Sequence, residues 1–354
     1  GDYDVFVSKL DSSGDLVWVK SFGGTGNDFS ESVAVDSSGN VYTTGYFEDT
    51  VDFDPGAGTT NLTSAGDYDV FVSKLDSSGD LVWAKSFGDT GNDRGYGLAV
   101  DSSGNVYTTG YFSGTVDFDP GSGTTNLTST VLGVSYTVDV FVSKLDSSGD
   151  LVWAKSFGGT SSDGGYSVAV DSSGNVYTTG YFHYMVDFDP GAGTTELSAT
   201  SSDVFVSKLD SSGDLVWAKS FGDTGNDRGY GLAVDSSGNV YTTGYFSGTV
   251  DFDPGSGTTN LTSTVLGVSY TVDVFVSKLD SSGDLVWAKS FGGTSSDGGY
   301  SVAVDSSGNV YTTGYFHYMV DFDPGAGTTE LSATSSDVFV SKLDSSGDLV
   351  WAKS

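Results

Sequence analysis

The heptapeptide Asp69-Val70-Phe71-Val72-Ser73-Lys74-Leu75 occurs six times in this chain. Its copies begin at the following residues: Asp4, Asp69, Asp139, Asp203, Asp273 and Asp337. The intervals are 65, 70, 64, 70 and 64 residues, and residues 69–202 are identical at every position to residues 203–336. Such a period is typical of proteins that stack one supersecondary unit. The sequence therefore predicts a repeat fold in which each repeat has the same role.

Each repeat has the pattern of two β-hairpins. Short runs rich in Val, Tyr, Thr, Phe and Trp are separated by Gly, Asp, Ser and Pro, which predicts strands joined by turns. The first hairpin covers residues 32–47 and the second covers residues 70–87, and both turn on Asp-Ser-Ser-Gly. There Asp can accept hydrogen bonds from its own turn and Gly can adopt a positive φ. Apolar residues on both faces of the strands indicate sheets buried between neighbouring sheets.

Four-stranded sheets packed face to face at this period are the blades of a β-propeller. We predict the all-β class, with about five and a half four-stranded antiparallel blades forming one repeat domain over residues 1–354. An open superhelical array of blades is the alternative. The expected boundaries are a half-blade at residues 1–22 and blades at approximately 23–87, 88–157, 158–221, 222–291 and 292–354.

Two runs of the repeat resemble a known family. Residues 139–159 read Asp-Val-Phe-Val-Ser-Lys-Leu-Asp-Ser-Ser-Gly-Asp-Leu-Val-Trp-Ala-Lys-Ser-Phe-Gly-Gly, and residues 168–181 read Val-Ala-Val-Asp-Ser-Ser-Gly-Asn-Val-Tyr-Thr-Thr-Gly-Tyr. Both are similar to the bacterial β-propeller repeats abbreviated SBBP, and the resemblance extends over essentially the whole chain. That family occurs mostly in large secreted or surface-associated bacterial proteins. The resemblance therefore implies an extracellular or cell-surface location and says little about activity.

Composition excludes several classes of protein. The 354 residues are 37% hydrophobic and 14% aromatic, enough for a large core despite 51 glycines. The 14 basic and 47 acidic residues give a net charge of −33, which disfavours nucleic acid and anionic membrane surfaces as partners. No apolar run approaches the roughly 20 residues that span a bilayer, so membrane insertion is not expected. Cysteine is absent, which excludes disulfides but leaves the compartment open.

The repeats are incomplete at the N-terminus. The chain has six Val-Phe-Val-Ser-Lys-Leu hairpins but only five Val-Tyr-Thr-Thr-Gly-Tyr hairpins, so the half-blade has an unpaired strand edge. We expect the chain to be a slice of a longer protein, completed by copies of itself or by adjacent repeats of that protein. The expected contacts are the half-blade strand and two long apolar loops. The corresponding residues are Val5, Phe6, Val7, Val131, Leu132, Tyr136, Val265, Leu266 and Tyr270.

Paired aspartates are the candidate metal ligands. Each Asp-Phe-Asp-Pro-Gly motif can place two carboxylates on one face of a strand, where loop carbonyls could complete a Ca²⁺ site. The candidate ligands are Asp52, Asp54, Asp117, Asp119, Asp187, Asp189, Asp251, Asp253, Asp321 and Asp323. The alternative is a strand end followed by a turn. A further aspartate between blades could add a ligand or cap backbone amides, and it stands at Asp28, Asp93, Asp163, Asp227 and Asp297. The Asp-Ser-Ser-Gly-Asp turns lack the spacing of an EF-hand.

Catalytic signatures are weak. His183 and His317 are the only histidines, no second ligand stands near them in sequence, and no Gly-x-Ser-x-Gly motif occurs. We predict no enzyme activity and no cofactor other than Ca²⁺. The expected role is an extracellular structural or adhesive module that assembles into a larger oligomer or filament. A multivalent propeller that binds glycans through its tryptophans is the alternative, and an engineered repeat propeller is a further one.

Overall fold

The computed structural model describes residues 1–130, 137–264 and 271–354, and in these ranges all regular secondary structure is β. Every pair of named strands is antiparallel. No helix in the described ranges is long and apolar enough to cross a membrane. The all-β prediction is confirmed.

The chain divides into two compact units, residues 1–165 and 166–354. The strands up to the division are β1 (Val5–Leu10), β2 (Leu16–Phe22), β3 (Phe29–Val35), β4 (Val41–Phe47), β5 (Thr50–Asp52), β6 (Asn61–Thr63), β7 (Asp69–Leu75), β8 (Leu81–Phe87), β9 (Arg94–Val100), β10 (Val106–Phe112), β11 (Thr115–Asp117), β12 (Asn126–Thr128), β13 (Asp139–Leu145) and β14 (Leu151–Phe157). Strand β15 (Gly164–Val170) contains the division.

The strands of the second unit follow the same plan. They are β16 (Val176–Asp187), β17 (Glu196–Leu209), β18 (Leu215–Phe221), β19 (Arg228–Val234), β20 (Val240–Phe246), β21 (Thr249–Asp251), β22 (Asn260–Thr262), β23 (Asp273–Leu279), β24 (Leu285–Gly293), β25 (Gly298–Val304), β26 (Val310–Asp321), β27 (Glu330–Leu343) and β28 (Leu349–Lys353).

Apart from the short hairpins, these strands form the two-stranded half-blade and five blades of four strands each, and a short pairing of β24 with β26 links blades 4 and 5 into one eight-stranded sheet. The half-blade is β1-β2, and blades 1 to 5 are β3-β4-β7-β8, β9-β10-β13-β14, β15-β16-β17-β18, β19-β20-β23-β24 and β25-β26-β27-β28. The repeated four-stranded antiparallel sheets are the blades of a β-propeller. A short extra hairpin follows the second strand of blades 1, 2 and 4, whereas in blades 3 and 5 it merges into strands of 12 and 14 residues.

The Asp-Ser-Ser-Gly turns have the predicted chemistry. In the second hairpin of blade 4, Asp280 Oδ1 accepts hydrogen bonds from the backbone N–H of Ser282 at 2.8 Å and of Asp284 at 3.1 Å. Gly283 has a φ of 82°, a left-handed conformation that costs glycine little. The carboxylate accepts backbone N–H groups of the turn, and the glycine adopts the left-handed conformation that the turn requires. Together they allow the chain to reverse direction between the two strands.

Both faces of the inner strands are buried, as the apolar pattern predicts. Between blades 3 and 4, Val204 and Val206 pack against Phe275, and all three side chains are fully buried. Phe221 adds ring contacts at centroid distances of 4.9 Å to Phe252 and 5.5 Å to Phe275. The same set recurs between blades 4 and 5, between blades 1 and 2, and between the half-blade and blade 1. Face-to-face packing of successive blades therefore forms the core.

Candidate interaction surfaces and buried carboxylates

The half-blade presents an apolar face that every interior blade buries. Phe6 is 69% exposed, whereas Phe275, at the same position of the heptapeptide, is fully buried. In blade 4 the strand that carries Phe275 pairs with β20, but β1 pairs only with β2. The open edge and the exposed ring therefore have one cause, which is that β1 lacks the neighbouring hairpin.

The three half-blade residues predicted to contact a partner do not share one environment. Val5 and Val7 are buried in the core with Phe71 of blade 1, so their side chains face the chain itself. The apolar side chains that β1 leaves exposed are Phe6 and Leu10, the latter at 56% exposure, and among the described strands the other backbone edge of β1 is unpaired. The other six predicted residues (Val131, Leu132, Tyr136, Val265, Leu266 and Tyr270) lie outside the described residues.

Blade 5 presents the complementary face. Val338 is 71% and Val340 is 42% exposed, whereas the equivalent Val274 and Val276 of blade 4 are fully buried. In the interior this valine pair packs against the phenylalanine of the following repeat, as Val274 and Val276 do against Phe339. Among the described residues, blade 5 has no following blade to cover the pair. The chain therefore exposes one valine face and one phenylalanine face of the kind that pair inside it.

A groove of about 340 Å³ runs along the half-blade. It is lined by residues 6–8 of β1, residues 30–33 of β3 and Thr43 of β4. In a complete blade, the strand equivalent to β1 pairs on one side with the second strand of its own blade. In the described part of the chain, strand β1 has no such partner, so an extended segment in the groove could add to β1 through main-chain hydrogen bonds.

The Asp-Phe-Asp motifs form turns at the ends of the short hairpins. Strand β5 ends at Asp52, whose Oδ1 accepts the backbone N–H of Asp54 at 3.1 Å and of Thr60 at 2.8 Å. Asp54 Oδ1 accepts the N–H of Gly56 at 2.7 Å. The equivalent bonds recur at Asp117 and Asp119, Asp187 and Asp189, Asp251 and Asp253, and Asp321 and Asp323.

This geometry shows what the motif does without an ion. Its carboxylates close the turn by accepting backbone N–H groups, and Phe53 between them is buried in the core. In the described part of the chain, no three His, Cys, Asp or Glu side chains converge closely enough to hold a metal. A Ca²⁺ ion here would need carbonyl or water oxygens to complete its coordination. The calcium site stays a prediction.

The Asp-Ser-Ser-Gly turns of the first hairpins have an additional layer of hydrogen bonds. Asp235 Oδ1 accepts the N–H groups of Ser237 and Asn239, and its Oδ2 accepts Asn239 Nδ2–H at 2.7 Å and the Tyr241 hydroxyl at 3.1 Å. Burial alone would raise the pKa of Asp235, but these hydrogen bonds outweigh it and hold the pKa below its usual value. The turn thereby anchors a fully buried tyrosine.

We expect Asp235→Ala to lower the free energy of unfolding by about 2–3 kcal/mol, because it strands the buried Tyr241 hydroxyl and two backbone N–H groups. The matched control is Asp210→Ala, since Asp210 accepts only the N–H groups of Ser212 and Asp214. That change should cost about 1 kcal/mol. Urea denaturation followed by circular dichroism measures both. Equal losses would show that the link to Tyr241 contributes nothing.

The aspartates between blades cap backbone amides. Asp227 Oδ1 accepts the N–H of Ser247 at 2.8 Å and its Oδ2 accepts the N–H of Asp223 at 3.1 Å, so the carboxylate ties the start of β19 to the end of β20. Equivalent caps are made by Asp28, Asp93 and Asp297. Of the two roles that the sequence left open, capping is observed. Burial raises the pKa of Asp227 to about 7 despite these hydrogen bonds.

A second buried carboxylate accompanies the caps of the interior blades, and it was not predicted from the sequence. Asp203, the first residue of the heptapeptide, is only 6% exposed, and its buried Oδ1 accepts no hydrogen bond. The same oxygen is unpartnered in Asp69, Asp139 and Asp273. Burial and, to a smaller extent, the negative charges of Asp227 and Asp223 together raise the pKa of Asp203 to about 7. The alternation of polar and apolar residues in the sequence does not predict whether this aspartate is buried. Its burial is visible only in the packing of the blades.

Four of the tryptophans (Trp18, Trp83, Trp217 and Trp287) join one sheet to the next. The indole N–H of Trp217 in blade 3 donates to the carbonyl of Ser281 in blade 4 at 3.2 Å, and Lys208 donates to the same carbonyl at 3.2 Å. The Trp217 ring also packs edge to face on Tyr177 at 6.2 Å. Such a half-buried ring, with its N–H already engaged, offers little free surface to a sugar. The histidines are also engaged in packing, since His317 Nδ1 lies 2.5 Å from the Ser296 carbonyl and its ring packs on Tyr315.

The repeats match the family model described as SBBP, beta-propeller repeat, at residues 17–46, 82–111, 152–181, 216–245 and 286–315. The chain carries five repeats of the SBBP family. Each SBBP match runs from the last strand of one sheet through the first hairpin of the next. The family model thus covers the junction between consecutive blades, where the tryptophan and the capping aspartate lie.

Two curated proteins are similar in sequence to this chain. The chain is 26% identical over 99% of its length to "Uncharacterized WD repeat-containing protein L264" of Acanthamoeba polyphaga mimivirus, covering 29% of that protein. It is 32% identical over 35% of its length to "Regulatory protein FlaEY" of Caulobacter vibrioides, covering 13% of that protein. This SBBP chain therefore spans less than a third of either relative.

A solved structure of a protein of unknown function from Bacteroides caccae also aligns with the chain. The alignment covers 81% of this chain and 93% of that one, at 11% identity and a TM-score of 0.29. That score is too low to carry any argument about the SBBP fold, which rests on the repeats and the strand pairing.

Proposed function

We propose that the chain is a non-enzymatic structural or adhesive module of an extracellular or cell-surface bacterial protein, and that it assembles head to tail with further copies. The observation that carries this proposal is the pair of exposed faces, Phe6 on the half-blade and Val338 with Val340 on blade 5. The same residue types, in the same strands, pair at every described junction.

The contact between copies would repeat a contact that the chain already makes. At the junction of blades 4 and 5, Val274 and Val276 are fully buried against Phe339. Docking of Phe6 onto Val338 and Val340 of a second copy would recreate that packing, and full burial of such a side chain contributes about 1.5–3 kcal/mol. The two faces differ, so the contact is heterologous and adds copies in one direction.

A measurement of assembly size tests this proposal. We expect the mass of the wild-type chain in multi-angle light scattering to rise with concentration, and Phe6→Asp or Val338→Asp to abolish the rise. A mixture of the two variants should form dimers and nothing larger, because each variant keeps one intact face. Val286→Asp, at a position that is 50% exposed and outside both faces, should assemble like the wild type. A wild-type chain that stays monomeric at every concentration would overturn the proposal.

A chelator arm tests the predicted calcium dependence separately. Assembly that is lost in EDTA and restored by Ca²⁺ would support a structural ion, and the variant Asp251→Asn would then be expected to weaken that response. Assembly that EDTA leaves unchanged would remove Ca²⁺ from the proposal and leave the docking faces in place.

Carbohydrate binding is the second candidate, and a different pair of residues favours it. Tyr184 and Tyr318 occupy equivalent positions of blades 3 and 5 and are 57% and 56% exposed. Both have a φ of 57°, where the equivalent residue of blades 2 and 4 is glycine. An exposed aromatic ring held at a conformational cost is typical of functional surfaces. Fluorescence titration with a glycan panel, compared between wild type and a Tyr184→Gly/Tyr318→Gly variant, tests this candidate.

A further inference from the structure

Three aspartates lie within electrostatic range of one another at the junction of blades 3 and 4, since the charges of Asp223 and Asp227 both act on Asp203. Asp203 lies within β17, at the first position of the heptapeptide. Asp223 follows β18, and Asp227 immediately precedes β19. Asp203 is 6% and Asp227 is 1% exposed. The backbone joins the same elements, because the N–H of Asp227 donates to the carbonyl of Ser202 at 2.7 Å. The charged side chains are thus fixed at a seam between two blades.

Within the described ranges, the charges that act on Asp203 and Asp227 are all negative. Arg228, the next residue along, turns to the tyrosines, with its Nη1 3.2 Å from the Tyr166 hydroxyl and its guanidinium 4.3 Å from the ring centroid of Tyr181. On β16, His183 pairs in register with Ser202, and its ring packs on Tyr181. The charges that act on Asp203 are the two other carboxylates. Ionisation of Asp203 and Asp227 together therefore places like charges in a nearly dry seam.

The Asp203 carboxylate is also closely packed on one side. A Cβ atom on Gly222 would lie 2.3 Å from its Cγ and 2.5 Å from its Oδ1, so the carboxylate lies directly against the glycine backbone. Asp69 lies in the same way against Gly88, and Asp273 against Gly292. The arrangement is therefore a repeated feature of the junctions within both units.

We propose that these carboxylates are proton-operated locks between blades, which tighten the junction when Asp203 and Asp227 share protons in mild acid and loosen it when both ionise. The proposal does not depend on head-to-tail assembly, because every residue in it belongs to one unit of one chain. It makes the stability of each junction respond to the acidity of its surroundings.

The sign of the pH dependence follows from the direction of the pKa shifts. Burial raises the pKa of Asp203, Asp227 and Asp273 to about 7, and that of Asp69 to about 6, from an unfolded value near 3.9. Between about pH 4 and pH 7 the folded chain therefore binds more protons than the unfolded chain. Stability falls as the pH rises through this window and is then level.

Thermal unfolding of Asp203→Asn tests the lock, because an amide mimics the protonated acid in size and charge. We expect the wild-type Tm to be higher at pH 5 than at pH 8. Asp203→Asn should raise the Tm at pH 8 by about 2–6 °C and reduce the difference between the two pH values. The matched control is Asp337→Asn, since Asp337 has the same neighbours in sequence but is exposed on blade 5. It should change neither quantity. All of these chains also carry Phe6→Asp, so that head-to-tail assembly does not contribute to the measured Tm.

Hydrogen exchange locates the effect. After correction for intrinsic rates, protection of the Asp227 amide should fall between pH 5 and pH 8 in the wild type and stay constant in Asp203→Asn. Two results would overturn the proposal. One is an Asp203→Asn Tm at pH 8 that is equal to or below that of the wild type. The other is a rise in wild-type Tm on adding Ca²⁺ at pH 8 that Asp203→Asn abolishes, which would make the carboxylates a cation site.

Discussion

We expect Phe275→Ala to lower the free energy of unfolding by about 3–5 kcal/mol and Phe6→Ala to change it by less than about 0.5 kcal/mol. Both residues stand third in an identical heptapeptide. Phe275 is fully buried and has ring contacts at 5.2 Å to Phe252 and 5.5 Å to Phe221, whereas Phe6 is 69% exposed. Truncation at position 275 therefore leaves a cavity between two blades, and truncation at position 6 leaves none.

Guanidinium denaturation followed by near-ultraviolet and far-ultraviolet circular dichroism measures the two variants. The chain has two compact units, so the transitions should be fitted separately where the two probes disagree. The comparison must be made at a concentration where the wild type is monomeric. A loss above about 2 kcal/mol in monomeric Phe6→Ala would contradict the exposure of the half-blade face.

We expect Gly244→Ala to cost about 3 kcal/mol, because the new methyl group meets backbone. A Cβ atom on Gly244 would lie 1.8 Å from the carbonyl oxygen of Arg228 and 2.8 Å from Cε1 of Phe275. The register of β19 against β20 shifts beside this glycine, between Gly229 and Gly231, and brings the two backbones together there. Relief requires movement of a strand in the core, and small-to-large changes of this kind are costly.

Gly255→Ala is the control for this variant. A Cβ atom on Gly255 would meet only Oδ1 of Asp253, at 3.0 Å, and that carboxylate belongs to an exposed turn. The cost should stay below about 1 kcal/mol. Thermal melts of the two variants should therefore separate clearly. If Gly244→Ala melts with Gly255→Ala, the close approach of β19 and β20 is not a constraint on the fold.

Local chemistry accounts for the parts of the fold that the sequence predicts. The strands of each blade follow from runs such as residues 70–75, and the turns follow from Asp-Ser-Ser-Gly, where the observed hydrogen bonds and the positive φ of Gly283 agree with expectation. The short hairpins, such as β5 with β6, were not anticipated, because three-residue strands carry too little pattern. The Asp-Phe-Asp motif was expected to lie along a strand, but β5 ends at its first aspartate.

The candidate sites depend on information that no single repeat contains. Asp203 and Asp337 share their neighbours in sequence, yet one is buried among carboxylates and the other is exposed. Phe275 and Phe6 differ in the same way. The sequence by itself determined the strands, the turns and the repeated blade, because hydrogen bonding and side-chain alternation are local. Only the tertiary structure decided which copies are buried, because burial and the pKa shifts that it causes depend on whether another blade lies against the face.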